Sequence, residues 1–233
     1  MPRTVCLLVA AAALAAGSKS EWENRIAPGM RDNPAFAYVE ENPSLPRVLL
    51  IGDSISIGYT PEVRKLLDGK ANVLRIPVNG GPTSRGIESI DQWLQDGNWD
   101  VIHFNWGLHD IKRLRNGKID INADWQVAPE QYEKNLDTLV RKMKATGAQL
   151  IWASTTPVPE GAAGRVKGDE LTVNRIAEKI MKKHNVPIND LHACVLPHLE
   201  KYQRRQNVHF NDEGSTFLAQ KVAEEITKLL PKE

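Results

Sequence analysis

The sequence predicts an α/β fold, a three-layer α/β/α sandwich around a five-stranded parallel sheet. Two observations support this prediction. Five short apolar runs lie between residues 47 and 191, and amphipathic helical patterns separate them. Parallel strands need such crossover helices, whereas antiparallel strands can be joined by tight turns. A chain of 233 residues is long enough for one well-buried domain and short for two.

The predicted strands are short runs of mostly apolar residues that end in turn-forming or polar residues. The first, RVLLIGD, has four consecutive apolar residues before Gly52. Continuous apolar character of this kind is typical of a parallel strand that is buried on both faces. In chain order the predicted strands are residues 47–53, 71–78, 99–107, 148–155 and 186–191.

The predicted helices carry apolar residues at three- and four-residue spacing, which gives each helix one face for the sheet. The longest is APEQYEKNLDTLVRKMKATG, closed by Gly147, and a glycine also closes the first. In chain order the predicted helices are residues 61–69, 84–95, 128–147, 169–185 and 215–230.

The N-terminus resembles a secretory signal peptide. Arg3 precedes an apolar run that is too short to span a bilayer, and small residues follow it. The sequence therefore predicts a signal peptide at 1–17, a proline-containing arm at 18–45 that lies over the domain, and a catalytic-type domain at 46–233. The expected location is secreted or periplasmic, with an uncleaved N-terminal anchor as the alternative.

Composition limits the partners. The chain has 30 basic and 29 acidic residues, a formal net charge of +1, so no overall field favours nucleic acid or an anionic membrane. The histidines and cysteines show no metal-ligand spacing, so neither a metal nor another cofactor is expected. Without the leader only Cys194 remains, and it is expected to be a buried apolar residue rather than a reactive thiol.

Residues with chemical potential follow the predicted strands. Ser54 follows the first strand, the pair Gly80-Gly81 the second and His109 the third, while His209 precedes the last helix. Because the carboxyl ends of parallel strands meet at one edge of a sheet, these residues should gather there. A serine, two histidines and backbone donors suit acyl transfer, which needs a nucleophile, a base and donors for an oxyanion.

The order of these blocks resembles that of the SGNH or GDSL hydrolases, from about Arg47 to Leu230. IGDSIS matches the family's Gly-Asp-Ser block, GPTSRG resembles its glycine block, and VHFNDEG matches its C-terminal histidine block. The resemblance implies the flavodoxin-like SGNH hydrolase fold. It also implies Ser54 as nucleophile, His209 as general base, and the amides of Ser54 and Gly81 as oxyanion donors.

The sequence departs from the family in its third block. The family has Gly-x-Asn-Asp, and this chain has Gly107-Leu108-His109-Asp110. A histidine N–H can replace the asparagine as the side-chain donor to the oxyanion. The alternative is that His109 only packs the loop and leaves the two amides as the donors.

A second departure concerns the residue that orients His209. The family's aspartate lies three residues before the histidine, and Gln206 occupies that position here. Gln206 or a main-chain carbonyl could accept from the imidazole, giving a Ser-His dyad, or Asp190 at the end of the fifth strand could replace the acid. A third possibility is an inactive site, because loss of the acid can cost orders of magnitude in rate.

The predicted function is that of a secreted serine esterase that works through an acyl-enzyme, and the resemblance implies short-chain carboxylic esters as its substrates. Export favours O-acetyl groups on a carbohydrate, so the expected partner is a small-molecule or polysaccharide ester. Trp106, beside the third block, is the best candidate for a sugar contact. The alternatives are a lipid-directed esterase or lysophospholipase, and a carbohydrate-binding protein without catalysis on the same fold.

Overall fold

The computed structural model describes residues 18–95 and 97–231. The predicted signal peptide, residues 1–17, lies outside the described residues. Among the residues described, none of the helices is both long enough and apolar enough to cross a membrane.

Five parallel strands form the central sheet, in the order β2-β1-β3-β6-β7. The remaining two strands form a small antiparallel hairpin in the segment after β3. In chain order the strands are β1 (Arg47–Ile51), β2 (Asn72–Arg75), β3 (Val101–Phe104), β4 (Leu114–Arg115), β5 (Lys118–Ile119), β6 (Gln149–Ala153) and β7 (Ile188–Asn189). The order confirms the predicted fold class.

Helices cover both faces of the sheet. Helix α2 packs against α8 on one side, and α3, α4 and α5 pack in succession on the other. The helices are α1 (Lys19–Arg25), α2 (Ser54–Leu66), α3 (Thr83–Leu94), α4 (Pro129–Lys144), α5 (Asp169–His184), α6 (Leu191–Val195), α7 (Leu199–Tyr202) and α8 (Asp212–Leu229). Apart from Leu74 and Ile188, which are partly buried, the apolar residues of the parallel strands are almost completely buried, as the apolar runs predict.

The predicted start of the first domain helix at residue 61 is wrong, since α2 begins at Ser54. Asp53 caps this helix by accepting the Ile55 amide at 2.9 Å. Pro61 then lies inside the helix, where it has no N–H to donate to the carbonyl one turn earlier. The helix therefore starts directly at the end of β1, and this places Ser54 at its N-terminus.

The arm of residues 18–45 folds as α1 and two short 3-10 turns (Pro28–Met30 and Pro34–Phe36). The Phe36 side chain is buried, and the Arg75 guanidinium lies over its ring at 4.5 Å from the centroid. Trp22 donates from its indole nitrogen to the Phe36 carbonyl at 2.7 Å. The arm thus has its own small apolar cluster, which packs on Ile57 of α2.

Candidate active site

The turn between β1 and α2 carries Ser54. Gly52 lies so close to its neighbours that a Cβ atom would be 2.1 Å from Asn105 Oδ1. A side chain at residue 52 would collide with these neighbours, whereas glycine allows the sharp turn from β1 into α2. The Ser54 amide belongs to the first helical residue, and amides in the first turn have no acceptor within the helix. No described residue accepts from it, so this N–H is available to a ligand.

His209 lies beside Ser54. Its Nε2 is 2.8 Å from Ser54 Oγ, and its Nδ1 is 2.7 Å from Asn207 Oδ1. The same Asn207 oxygen accepts the backbone N–H of His209 at 3.0 Å. Since a backbone N–H can only donate, the atom that faces it is the amide oxygen. That oxygen accepts the proton on Nδ1, which leaves Nε2 unprotonated and ready to accept from the serine hydroxyl.

Asn207, and not the predicted Gln206 or Asp190, is the residue whose side chain contacts His209 Nδ1. Gln206 has φ of +51°, and its exposed side chain lies against Gly161. Asp190 accepts from Ser154 Oγ at 2.8 Å and from the Ala193 amide at 3.0 Å, where it caps α6. The left-handed conformation at Gln206 turns the chain so that the next side chain faces the imidazole.

The position of Asn207 in the sequence is itself a signal for this contact, although it does not follow the family's spacing. An asparagine readily accepts the backbone N–H two residues ahead, in an Asx turn. Two residues after Asn207 is His209, so the turn places the amide oxygen next to the imidazole of the same residue. In this chain the contact to the imidazole therefore comes from the position two residues before the histidine, not three.

The glycine loop after β2 packs directly on the serine turn. The Gly80 amide donates to the Gly52 carbonyl at 2.9 Å, and a Cβ at Gly80 would lie 2.9 Å from that oxygen. Gly81, with φ of +60°, donates its amide to Asn79 Oδ1 at 2.9 Å. The Gly81 amide, the expected oxyanion donor, is thus close to the site but already has an acceptor. A bound oxyanion must therefore displace Asn79 Oδ1 or share the Gly81 N–H with it.

His109 follows β3 and is partly buried at the same edge of the sheet. Burial lowers the pKa of His109; Asp53 opposes this shift, while Arg165, Lys112 and Arg85 add to it. The ring is therefore neutral at neutral pH and has one N–H to donate. No side chain of the described chain forms a hydrogen bond with this ring, so its donor is free.

Asp110 ties the third loop to the glycine loop. It is fully buried and accepts the Thr83 amide at 2.8 Å as well as the Thr83 hydroxyl, at the first residue of α3. Asn135 of α4 donates to the same hydroxyl oxygen at 3.1 Å. The other carboxylate oxygen of Asp110 has no hydrogen-bond partner among the described residues. Burial raises the pKa of Asp110 to about 7, against the hydrogen bonds from Thr83, which lower it.

We predict that Asp110→Asn changes how the stability depends on pH. Between about pH 4 and pH 7 the folded chain keeps the Asp110 proton while the unfolded chain releases it, so the wild type loses stability as the pH rises. The variant lacks this loss. Urea unfolding of both proteins should show that the free energy of unfolding of the wild type, relative to that of the variant, is lower at about pH 7.5 than at about pH 4.5. A difference between the two proteins that does not change with pH would contradict the assignment.

Other predicted contacts fall outside the site. Trp106 is 1% exposed and packs in the core, so the predicted sugar contact at this residue is wrong. His103 is buried in β3, where burial lowers its pKa to about 3.

Arg165, which the sequence did not single out, donates from Nε to the Leu108 carbonyl at 2.6 Å and holds the His109 loop in place. Within the part of the chain that is described, no three His, Cys, Asp or Glu side chains come together as a metal site.

Comparisons with known proteins agree with this architecture. A family model described as the GDSL-like lipase/acylhydrolase family matches residues 50–217. A comparison with curated proteins gives no match. Among solved structures, a lipase/acylhydrolase from Enterococcus faecalis has a TM-score of 0.68 at 18% identity, over 81% of this chain and 99% of that one.

Two structures of acetyl xylan esterases are similar to the same degree. AlAXEase has a TM-score of 0.65 at 18% identity, over 77% of this chain and 99% of that one. Axe2 from Geobacillus stearothermophilus has a TM-score of 0.65 at 18% identity, over 78% of this chain and 94% of that one. At this identity the likeness establishes the fold, so the chemistry must be argued from the residues themselves.

Proposed function

Because the chain belongs to the GDSL-like lipase/acylhydrolase family and is a carboxylic ester hydrolase, we propose that it is a secreted serine esterase that removes O-acetyl groups from carbohydrates. The observation that carries the mechanism is the sequence of contacts from Ser54 Oγ to His209 Nε2, and from His209 Nδ1 to Asn207 Oδ1. It supplies a nucleophile, a base in the required tautomer and a group that holds the base in place.

In the proposed reaction His209 Nε2 accepts the Ser54 proton as Oγ forms a bond to the ester carbonyl carbon. The carbonyl oxygen becomes an oxyanion, which the free Ser54 amide and the His109 N–H stabilise. The Gly81 amide joins them only when Asn79 gives way. The tetrahedral intermediate then breaks its bond to the alcohol oxygen, which takes the proton from His209. In the second half-reaction His209 accepts a proton from water as the water oxygen bonds to the acyl carbon, and the bond to Ser54 Oγ then breaks as His209 returns the proton to that oxygen.

Asn207 orients the imidazole but brings no negative charge to stabilise the imidazolium. A negative charge does act on His209 from the carboxylate of the buried Asp53, which raises the pKa of His209. Its own hydrogen bond with the Ile55 amide keeps this carboxylate in place. We therefore assign Asp53 two roles, as the cap of α2 and as the counter-charge to the imidazolium that forms during turnover.

The substrate assignment is supported by the resemblance to acetyl xylan esterases and by the leader sequence, which favours export. Its test is release of acetate from acetylated xylan, together with a series of 4-nitrophenyl esters from acetate to octanoate. We expect acetate release from the polysaccharide and the highest kcat/KM for the acetate ester. A preference for octanoate would instead favour the lipid-directed alternative.

The pH dependence of the reaction follows from the environment of His209. Burial lowers the pKa of His209; Asp53 opposes this shift, and Arg165 and Arg204 add to it. Since the base must be neutral, the acid limb of kcat/KM for 4-nitrophenyl acetate should have its midpoint below about 6.5, the value of a free imidazole. Arg204→Gln removes a nearby positive charge and should move that midpoint to higher pH. A wild-type midpoint above the free value would contradict this account.

A further inference from the structure

A groove of about 380 Å³ opens beside the serine, between α2 and the beginning of α8. Ser54 and His209 are both among the residues that line it. Its other walls include Asn33 and Pro34 from the arm and Thr216 from α8. The residues of the glycine loop and of the His109 loop do not line it. The groove therefore lies on the His209 side of Ser54, away from the glycine loop and the His109 loop.

The arm wall of the groove is fixed to the domain. Arg64 of α2 donates to the Pro34 carbonyl at 3.1 Å, and the neighbouring Ala35 and Phe36 are buried. Asn33 caps the turn by accepting the Ala35 amide at 3.0 Å. These residues precede the segment that the family model matches, which begins at residue 50. This wall is therefore contributed by a part of the chain that lies outside the family's matched domain.

The chemistry of the reaction indicates which half of the ester the groove would bind. His209 Nε2 must hand its proton to the alcohol oxygen as that oxygen leaves, so the alcohol lies on the imidazole side of Ser54. The carbonyl oxygen, which becomes the oxyanion, points instead towards the oxyanion donors. A groove of this size falls within the range that binds small ligands. The wall combines apolar Pro34 with polar Asn33, Arg204 and Thr216, which suits a ring with several hydroxyl groups.

We propose that this groove binds the alcohol half of the substrate, a saccharide ring, and that Asn33 and Pro34 of the arm help to select it. The inference rests on the proposed esterase function. It assigns the arm a role in substrate specificity. That role can be tested with variants that change the groove and leave Ser54 and His209 in place.

The test uses two esters with the same acyl group and different alcohols, methyl acetate and acetylated xylobiose. Asn33→Trp fills the groove from the arm, and Thr216→Trp fills it from α8. In each variant, the ratio of kcat/KM for acetylated xylobiose to kcat/KM for methyl acetate should fall at least about tenfold. Thr227→Trp is the matched control, because it introduces the same side chain further along α8, away from the groove, and should keep the wild-type ratio.

Each outcome separates the inference from the function on which it rests. If both groove variants keep the wild-type ratio, the groove does not bind the alcohol. If the wild type hydrolyses methyl acetate and gains nothing from the xylobiose ring, the inference is overturned while the esterase function stands. If the wild type releases acetate from neither ester, the proposed function fails and the inference fails with it. The ratio also corrects for a variant that is only partly folded, because both esters report on the same active fraction.

Discussion

Ser54→Ala is expected to lower kcat/KM for 4-nitrophenyl acetate by about four to six orders of magnitude, the loss seen when a serine nucleophile is removed from a serine-histidine site. The reason is geometric as well as chemical. Ser54 Oγ is the atom that lies 2.8 Å from His209 Nε2 at the end of the sheet. Alanine keeps the backbone and the helix but leaves the base with no hydroxyl to deprotonate.

The control for this prediction is Ser44→Ala. Ser44 is an exposed arm residue whose hydroxyl donates to Asn42, so its removal should leave the rate unchanged. Rapid mixing of the wild type with the acetate ester, followed by acid quenching, should leave an acetyl group on the peptide that contains Ser54. Wild-type turnover in Ser54→Ala, or an acetyl group on a different residue, would contradict the role of Ser54.

The sequence predicted the sheet well because the strands at its centre, β1, β3 and β6, are buried on both faces and therefore consist mostly of apolar residues. β1 shows this directly: its residues from Val48 to Ile51 are at most 2% exposed. The start of α2 was harder to predict, because Pro61 is typical of the first turn of a helix and here lies inside one. The Asp53 cap, a local hydrogen bond, decides where this helix begins.

The site was predictable where it follows from topology. Ser54, Gly81, His109 and His209 each adjoin a strand or helix end, and the parallel sheet brings those ends to one edge. The hydrogen-bond partners were not predictable in the same way. The acceptor of the Gly81 amide and the acceptor of His209 Nδ1 are both asparagine side chains two residues earlier in the chain. Such contacts depend on the exact turn conformation, including the positive φ at Gln206, which the sequence pattern does not specify.

Asn207→Ala should lower kcat about 10- to 1,000-fold, while KM changes little. The variant removes the oxygen that accepts the Nδ1 proton, so the imidazole can turn or take the other tautomer. Imposing the wrong tautomer on such a histidine lowers kcat about 10⁴-fold. The loss in Asn207→Ala should be smaller, because its free ring can still adopt the correct tautomer. Steady-state kinetics with 4-nitrophenyl acetate would measure the change. Unchanged kcat would show that another group orients His209.

Asn207→Asp tests the same contact, but here kcat is expected to be kept or raised rather than lowered. A carboxylate beside Nδ1 favours the imidazolium, so the pKa of His209 should rise and the acid limb of the pH profile should move to higher pH. Above that limb kcat should equal or exceed the wild-type value, because the new charge stabilises the imidazolium formed in the transition state. Gln206→Asp is the matched control. Its side chain lies against Gly161 rather than on the imidazole, so its limb should stay near the wild-type position. If Gln206→Asp moved the limb further than Asn207→Asp, residue 206 rather than residue 207 would be the partner of His209.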